Sequence, residues 1–444
     1  MTSQHSTGRG PGRRIPLLAA AATGILALAL SGCTGQGTST SNSDTGSGGK
    51  ITLTFWNGQT GPDGPAMNKV IDAFNKSQSK VAVKSVTMPW DTLYQKLLTG
   101  AASKGGPDIV ALDFTQLPKY ASQGLFQPLD DYYKDSAHDT DTLPKAATTA
   151  SVYDGKNYGV PFDIATTMMY YNKTLFKQAG LDPDKPPTTW DEFAAMVPKL
   201  TKTPAGSSKP DQYAIALADN NTVDMYPQFL WNTGGGIVSE DNKKSLLDSP
   251  ETLKALDFWV DLVKNKQASP IGLSGADADK LFNSGKAAIE INGPWATTGY
   301  KDAGIDFGVT RPFAGPDGNA LLASVETMAL PAKDDDATKQ AAYKFFDYWT
   351  SNDAQLTWAE GSGFPPLRSD DNAKITGNPY PAIFGAKDVV DDSRLLNPGI
   401  ASGATIVNDV FYPSLQKALN GDGSVEEIFT AASKEVQADL DKDK

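Results

Sequence analysis

Two apolar periods alternate between residues 51 and 112, and this alternation limits the fold more than any other feature of the chain. Ile51, Leu53 and Phe55 alternate with Thr52, Thr54 and Trp56, the two-residue period of a strand; Met67, Val70, Ile71 and Phe74 then recur at helical spacing after Gly64-Pro65. Val81 to Val86 reads as a second strand, Leu93, Leu97 and Ala101 mark the next helix, and Gly105-Gly106-Pro107 leads into a third strand over Asp108 to Leu112. Successive strands separated by helices pair in parallel through right-handed crossovers. The expectation is an α/β fold with a mostly parallel sheet covered by helices.

A second stretch, Lys286 to Trp295, has a different use. Ala288, Ile289 and Ile291 suit a strand buried on both faces, and Asn292-Gly293-Pro294 stops it with turn chemistry before a large aromatic. Ligands of open α/β sheets sit beyond the carboxyl ends of strands. Gly293 lets a ligand approach the backbone, and Pro294 fixes φ so that Trp295 is held at a defined angle; the plainer reading makes Trp295 a packing residue.

Between these stretches, Gly155 to Asp163 leads into a strand through Met168 to Tyr171, then a helix with Asn172 as N-cap and Gly180 at its end. Thr189-Trp190-Asp191-Glu192 fits a capping box. Leu253, Leu256, Val260 and Val263, and later Ala342, Phe345, Phe346 and Trp349, are helix stripes that read as core. Gly234-Gly235-Gly236 lacks the spacing and lysine of a phosphate loop and reads as a turn.

The first thirty-two residues read as an export signal. Arg9, Arg13 and Arg14 form a basic region, Ile15 to Leu30 is apolar but short and rich in alanine, and Ser31-Gly32 are small residues before Cys33. Leu30-Ser31-Gly32-Cys33 resembles the bacterial lipobox, which implies that Cys33 is acylated and becomes the mature N-terminus. Arg13-Arg14 leaves a twin-arginine route open, although Ile15-Pro16-Leu17 fits that pattern poorly. Residues 34–49 are almost wholly Gly, Ser, Thr, Asn, Gln and Asp, a flexible leash spanning roughly 20 to 25 Å.

Composition narrows the chemistry. From Cys33 onward, thirty-seven basic residues face fifty-two acidic ones, a balance that disfavours nucleic acid and anionic lipid as partners. Cys33 is the only cysteine and His138 the only histidine after the signal, so thiolate and multi-histidine metal sites are excluded, and no cofactor is expected. His138 lies in the polar run Lys134 to Thr142 and reads as a solvated loop residue, which argues against a Ser-His-Asp triad. Arg311, Arg368 and Arg394 are the only mature arginines, so a neutral ligand is favoured over phosphate or carboxylate.

Several stretches in fixed order resemble the maltose-binding-like group of extracellular solute-binding proteins of ABC transporters. They are Leu53-Thr54-Phe55-Trp56-Asn57-Gly58, Gly106-Pro107-Asp108-Ile109-Val110, Gly159-Val160-Pro161-Phe162-Asp163 with Tyr170-Tyr171-Asn172-Lys173, Thr189 to Phe193, Phe282 to Ala288, and Asn292 to Trp295. The resemblance covers about residues 50 to 440. It implies two α/β lobes with a carbohydrate in the cleft between them, delivered to a membrane permease, by a monomer without enzymatic activity. The first lobe would be 50–162 plus about 314–361, and the second about 168–306 plus about 368–444; hinge crossings would lie near 163–167, 307–313 and 361–367.

Matched residue by residue, the resemblance places Asn57, Gly58, Gln59 and Thr60 in the site after the first strand, and Leu112, Asp113, Phe114 and Thr115 after the third. It adds Asp163 from the first crossing, Tyr226 and Trp231 from an aromatic stretch, Gly293 and Trp295 from the second lobe, and Ser324, Glu326 and Phe364 facing the cleft. Arg394 to Ile400 would form a lid. Gln59 and Thr60 stand where maltose-binding relatives carry charged residues, and Leu112 where they carry an aromatic, so maltose itself is in doubt. The residue types suit a sugar: carboxylates accept from hydroxyls at roughly 1.5 to 3 kcal/mol per charge-assisted bond, and indole offers an apolar platform for C–H faces. Other readings are a choline-type cation or glycerophosphodiester in the same fold, a two-carboxylate glycosidase, and a surface adhesion lipoprotein.

Overall fold

The computed structural model describes residues 49–61, 63–220 and 225–443. The export signal, Cys33 and the leash through residue 48 lie outside the described residues.

The opening alternation folds as strand β1 (Ile51–Asn57), helix α1 (Gly64–Ser77), β2 (Val81–Thr87), α2 (Trp90–Gly100) and β3 (Ile109–Asp113). β1 lies between β2 and β3 and is parallel to both. The chain then runs to β4 (Gly159–Thr166), β5 (Met168–Asn172), α3 (Trp190–Leu200), β6 (Tyr213–Ala216), α4 (Pro250–Val260) and β7 (Ala287–Asn292). It ends with β8 (Phe307–Thr310), β9 (Leu321–Ala329), α5 (Asp336–Trp349), α6 (Asn352–Ser362), β10 (Ser393–Leu395), α7 (Tyr412–Asn420) and α8 (Val425–Lys442).

Two sheets result. The first is ordered β10-β9-β3-β1-β2, with β4 on the other edge of β9; the second is ordered β8-β5-β7-β6. β9 is antiparallel to both β3 and β4, so the first sheet mixes a parallel half with an antiparallel one. Thr167 alone separates β4 of the first sheet from β5 of the second. It is buried, and its N–H donates to the Leu322 carbonyl at 2.9 Å while its hydroxyl donates to Gln228 Oε1 at 3.3 Å. The return passage covers residues 311–320, because Phe307–Thr310 is paired throughout with β5 and leaves the second sheet only after Thr310. Ser393–Leu395, expected in the second lobe, instead pairs with Leu321–Ala323, so the C-terminal segment adds a strand to the first sheet while its helices cover the second.

The cores follow the strand faces. Leu53 and Phe55 of β1 point into a cluster with Met67, Val70, Ile71 and Phe74 of α1 and with Phe345, Phe346 and Trp349 of α5. Full burial of a side chain such as Phe55 contributes roughly 1.5 to 3 kcal/mol. Phe411, Leu415, Leu419, Phe429 and Val436 cover the second sheet together with Leu256, Trp259 and Val260 of α4.

Two local readings are corrected. Thr189 accepts the Glu192 N–H at 3.2 Å, but the Glu192 carboxylate returns to the N–H and hydroxyl of Thr188 rather than to the cap residue. His138 is not solvated: its ring stacks on Tyr132 at 4.2 Å, and Nδ1 lies 2.8 Å from Asp347 Oδ1.

Candidate ligand-binding site

The site begins where β1 ends. Buried Asn57 is tied down on both sides of its amide: Oδ1 accepts from the Gln59 N–H at 3.3 Å and from the Thr87 hydroxyl at 3.0 Å, and Nδ2 donates to Ser85 Oγ at 2.9 Å. This fold of the loop turns Gln59 inward, where Nε2 donates to Glu326 Oε2 at 2.5 Å, and leaves Thr60 exposed. Asp63 follows as the N-cap of α1 and accepts the Gly64 N–H at 3.0 Å.

Across the sheet, three acids form a row. In the register, Glu326 of β9 stands directly opposite Asp113 of β3 on one side and Asp163 of β4 on the other. Directly opposed residues on neighbouring strands project to one face, so the carboxyl groups lie side by side, at the end of β3 and midway along β4 and β9. A bulge between Glu326 and Thr327 shifts the ladder just below the row.

Burial governs their ionisation. Asp163 is 2% exposed; burial pushes it well above the usual carboxylate range, the charges of Asp63 and Asp113 push it further, and the Glu326 N–H at 3.3 Å opposes the rise. Burial likewise raises Glu326 well above its ordinary value, followed by the charges of Asp163, Asp63 and Asp113 and opposed by Gln59. Asp113 is raised by burial despite bonds from Thr115 and Ser324, and Asp63 is raised by burial. One oxygen, Asp163 Oδ2, is buried without a hydrogen-bond partner.

Two indoles are set by the same device. A Cβ on Gly58, just after β1, would come within 2.1 Å of the Trp90 ring; one on Gly293, just after β7, would come within 2.0 Å of the Trp295 ring. Each tryptophan therefore lies against bare backbone at a strand end, which only glycine allows. Trp90 stacks on Tyr94 at 5.8 Å and 21°, and the Tyr94 hydroxyl accepts the Asp113 N–H at 3.2 Å, linking this aromatic pair to the acid row. Trp295 is half-buried and packs against both the first-sheet core and a cluster on the second sheet. A chain of buried rings runs from it into the first-sheet core: Phe364 at 6.0 Å, Trp358 at 5.1 Å from Phe364, and Phe162, the neighbour of Asp163 in sequence, at 5.4 Å from Trp358.

The turn carrying Trp295 is braced from beneath. Tyr170 donates to the Gly293 carbonyl at 2.8 Å, and Asn292 Oδ1 accepts the Gly293 N–H at 2.8 Å. Asn292 Nδ2 donates to Asp279 at 2.6 Å, Glu290 at 3.1 Å and Tyr300 at 2.9 Å, while the Tyr300 hydroxyl donates to Glu290 at 2.6 Å.

The residues expected in the site thus divide. Asn57, Gly58, Gln59, Asp113, Thr115, Asp163 and Glu326 converge, whereas Gly293 and Trp295 lie after β7 and Phe364 is core, connected to them through buried rings. Phe114 is core, packed with Ile164, Leu322 and Val325. Tyr226 is 1% exposed against Phe229 with its hydroxyl unpartnered, and residues 221–224 just before it are not described. Trp231 and Arg394 line a separate polar cavity of about 330 Å³ with Arg311, Asp317 and Asn319. Arg394 pairs with Leu322, four residues before Glu326, which is roughly 13 Å along the strand. Trp90, Tyr94 and Asp63 were not anticipated. Pro89-Trp90 after a strand repeats the arrangement of Pro294-Trp295, and that likeness was the available signal.

Comparison with known proteins identifies the fold's lineage. Residues 69–384 match the family model described as bacterial extracellular solute-binding protein. The chain belongs to that family. A Brucella abortus protein described as a binding protein is 27% identical to this solute-binding protein over 402 residues, 88% of this chain and 93% of its own. A maltotriose-binding protein of Pyrococcus abyssi is 27% identical over 319 residues, 67% of this chain and 63% of its own. Among solved structures, a solute-binding protein of an ABC transporter from Thermotoga lettingae, bound with α-D-tagatose, superimposes with a TM-score of 0.78 at 27% identity, covering 88% of this chain and all of that one. The two-lobed architecture of such proteins is the architecture of this one.

Proposed function

We propose that this solute-binding protein captures a carbohydrate outside the cytoplasm, tethered by a lipid on Cys33, and delivers it to the permease of an ABC importer. The observation that carries the reading is the row Asp113, Glu326 and Asp163, joined through Tyr94 to Trp90, with a second indole, Trp295, set against bare backbone after β7. Carboxylates set side by side accept from adjacent sugar hydroxyls, and indoles cover the C–H faces. The maltotriose and tagatose named for relatives support the same class of ligand. Phosphate-bearing ligands fit poorly, since among the described residues no salt bridge joins Asp63, Asp113, Asp163 or Glu326 to a cation, and two of the arginines are engaged elsewhere: Arg311 with Asp388 and Asp392, Arg368 with Asp139.

In this reading the lobes close by rotation about Thr167, the 311–320 passage and the turn after α6, where Gly363 adopts a φ of 87°. A thermal-shift screen against mono- and oligosaccharides tests the proposal. A sugar at 100 times its dissociation constant adds about 2.7 kcal/mol of stability. Stabilisation without product formation, accompanied by a smaller radius of gyration in solution scattering, is the expected result. Sugar cleavage, or a panel in which nothing stabilises the protein, overturns it.

A further inference from the structure

The carboxylates of the site outnumber anything that neutralises them. Asp63 at the N-cap of α1, Asp113 from β3, Asp163 from β4 and Glu326 from β9 face one another, and the groups that touch their carboxyls are neutral: the side chains of Gln59, Thr115 and Ser324 and the backbone N–H groups of Gly64 and Glu326. Among the described residues, none of the four takes part in a salt bridge, although seventeen are formed elsewhere. Nor do they compose a metal cage, since among the described residues no group of three or more His, Cys, Asp or Glu is arranged to hold an ion. Asp163 Oδ2 is the sharpest feature, a carboxylate oxygen on a residue 98% buried that lacks a donor. An uncompensated buried carboxylate is costly, and the cost is recovered when a charged donor arrives.

Resting on the carbohydrate reading above, we infer that the ligand is an amino sugar, its protonated primary or secondary amine seated between Asp163 and Glu326. A quaternary ammonium would supply charge but no N–H for Asp163 Oδ2, and a plain hydroxyl would supply a donor without charge. An ammonium supplies both. Hydrogen bonds to charged partners exceed neutral ones by about 1.4 kcal/mol, equivalent to a tenfold gain in affinity. The direction of the pH effect follows from the site's raised carboxyl groups: protons held by the free protein are displaced by the ammonium, so affinity for the amine falls as pH is lowered from 7.5 to 5.5, while affinity for a neutral sugar is held or increased.

The experiment titrates the full chain by calorimetry with glucosamine and its β-1,4 dimer, with the N-acetylated counterparts and with glucose and cellobiose, at two pH values and in buffers of different ionisation enthalpy. Expected is an amine preference of at least tenfold at pH 7.5, proton release on binding, and loss of the preference in Glu326→Gln. Equal or tighter binding of the hydroxyl or acetamide sugars overturns the inference and leaves the carbohydrate reading standing. Absence of binding by every one of these sugars overturns the inference; absence across the wider neutral panel as well overturns both.

Discussion

Each sheet carries a glutamate in the middle of a strand, and the two are treated in opposite ways. Glu290 on β7 is 2% exposed and enclosed by its own lobe: Tyr300 and Asn292 donate to it, and Asp279 lies beside it. Glu326 on β9 meets Gln59, and its neighbour Asp163 keeps one oxygen with no donor at all. Folding alone favours the first arrangement, because every buried polar atom without a partner costs about 1 to 3 kcal/mol. The second arrangement gives up that stability along the acid row, where a bound solute can supply the missing donors. The difference separates a carboxyl group that holds the protein together from one that is held ready for a ligand.

The largest effect is expected at the satisfied site. Glu290→Ala removes the acceptor of the Tyr300 hydroxyl, one of the three partners of the Asn292 amide and the packing of the glutamate's own methylenes, so urea unfolding of the ligand-free protein should show a loss of about 3 kcal/mol. A loss below about 1 kcal/mol would mean that the network braces nothing. Next comes Trp295→Ala. The exposed half of the indole covers on the order of 100 Å² of a stacked ring, worth about 2.5 kcal/mol, so titration with the sugar found in the screen should show affinity weakened by about 50- to 100-fold. Trp295 also packs on two clusters, and unfolding of the apo protein measures that share separately. Unchanged affinity with a large loss of apo stability would return Trp295 to the core.

How much of this could be read from residues alone depended on whether a local pattern decided the outcome. The alternation from Ile51 to Leu112 produced its strands and helices because each apolar face matches one period. Lys286 to Trp295 formed the strand and the stop expected of it, since Asn292 and Gly293 act on their own backbone. The return of Ser393–Leu395 to the first sheet carries no such signal: three residues have no period, and only the free edge of β9 selects them. The acid row is legible only through register. Asp113, Asp163 and Glu326 are separated by 50 and 163 positions, and their convergence depends on which strands pair, with a bulge setting the final offset. His138 was misread because a polar run does not reveal that Tyr132 lies beneath it.

Asp163→Asn sharpens the comparison further. Removing the charge relieves an unpaired buried carboxylate, so apo stability at pH 7 should stay the same or rise, whereas the ligand loses its strongest acceptor. Affinity is expected to fall by roughly 30-fold, about 2 kcal/mol. Stability that drops together with binding would place Asp163 among the structural carboxylates with Glu290.

Asp219 supplies the intermediate case, and its effect is read from pH alone. It is 1% exposed, and both its oxygens take the Gly272 N–H, at 2.9 and 3.0 Å, so it is partnered by backbone but by no side chain. Burial pushes it up from 3.8 to about 6, with the N–H bonds opposing the rise. Because the folded value lies above the unfolded one, ionisation costs stability above pH about 6, and the penalty disappears as pH falls toward 4. Wild-type protein therefore gains stability from this residue on acidification over that window. In Asp219→Asn the gain is absent, and the change in unfolding free energy between pH 7 and pH 4 should differ from wild type by about 2 kcal/mol. A variant whose pH profile overlays that of the wild type would show that the Gly272 contact already compensates the buried charge, moving Asp219 from the intermediate position to that of Glu290.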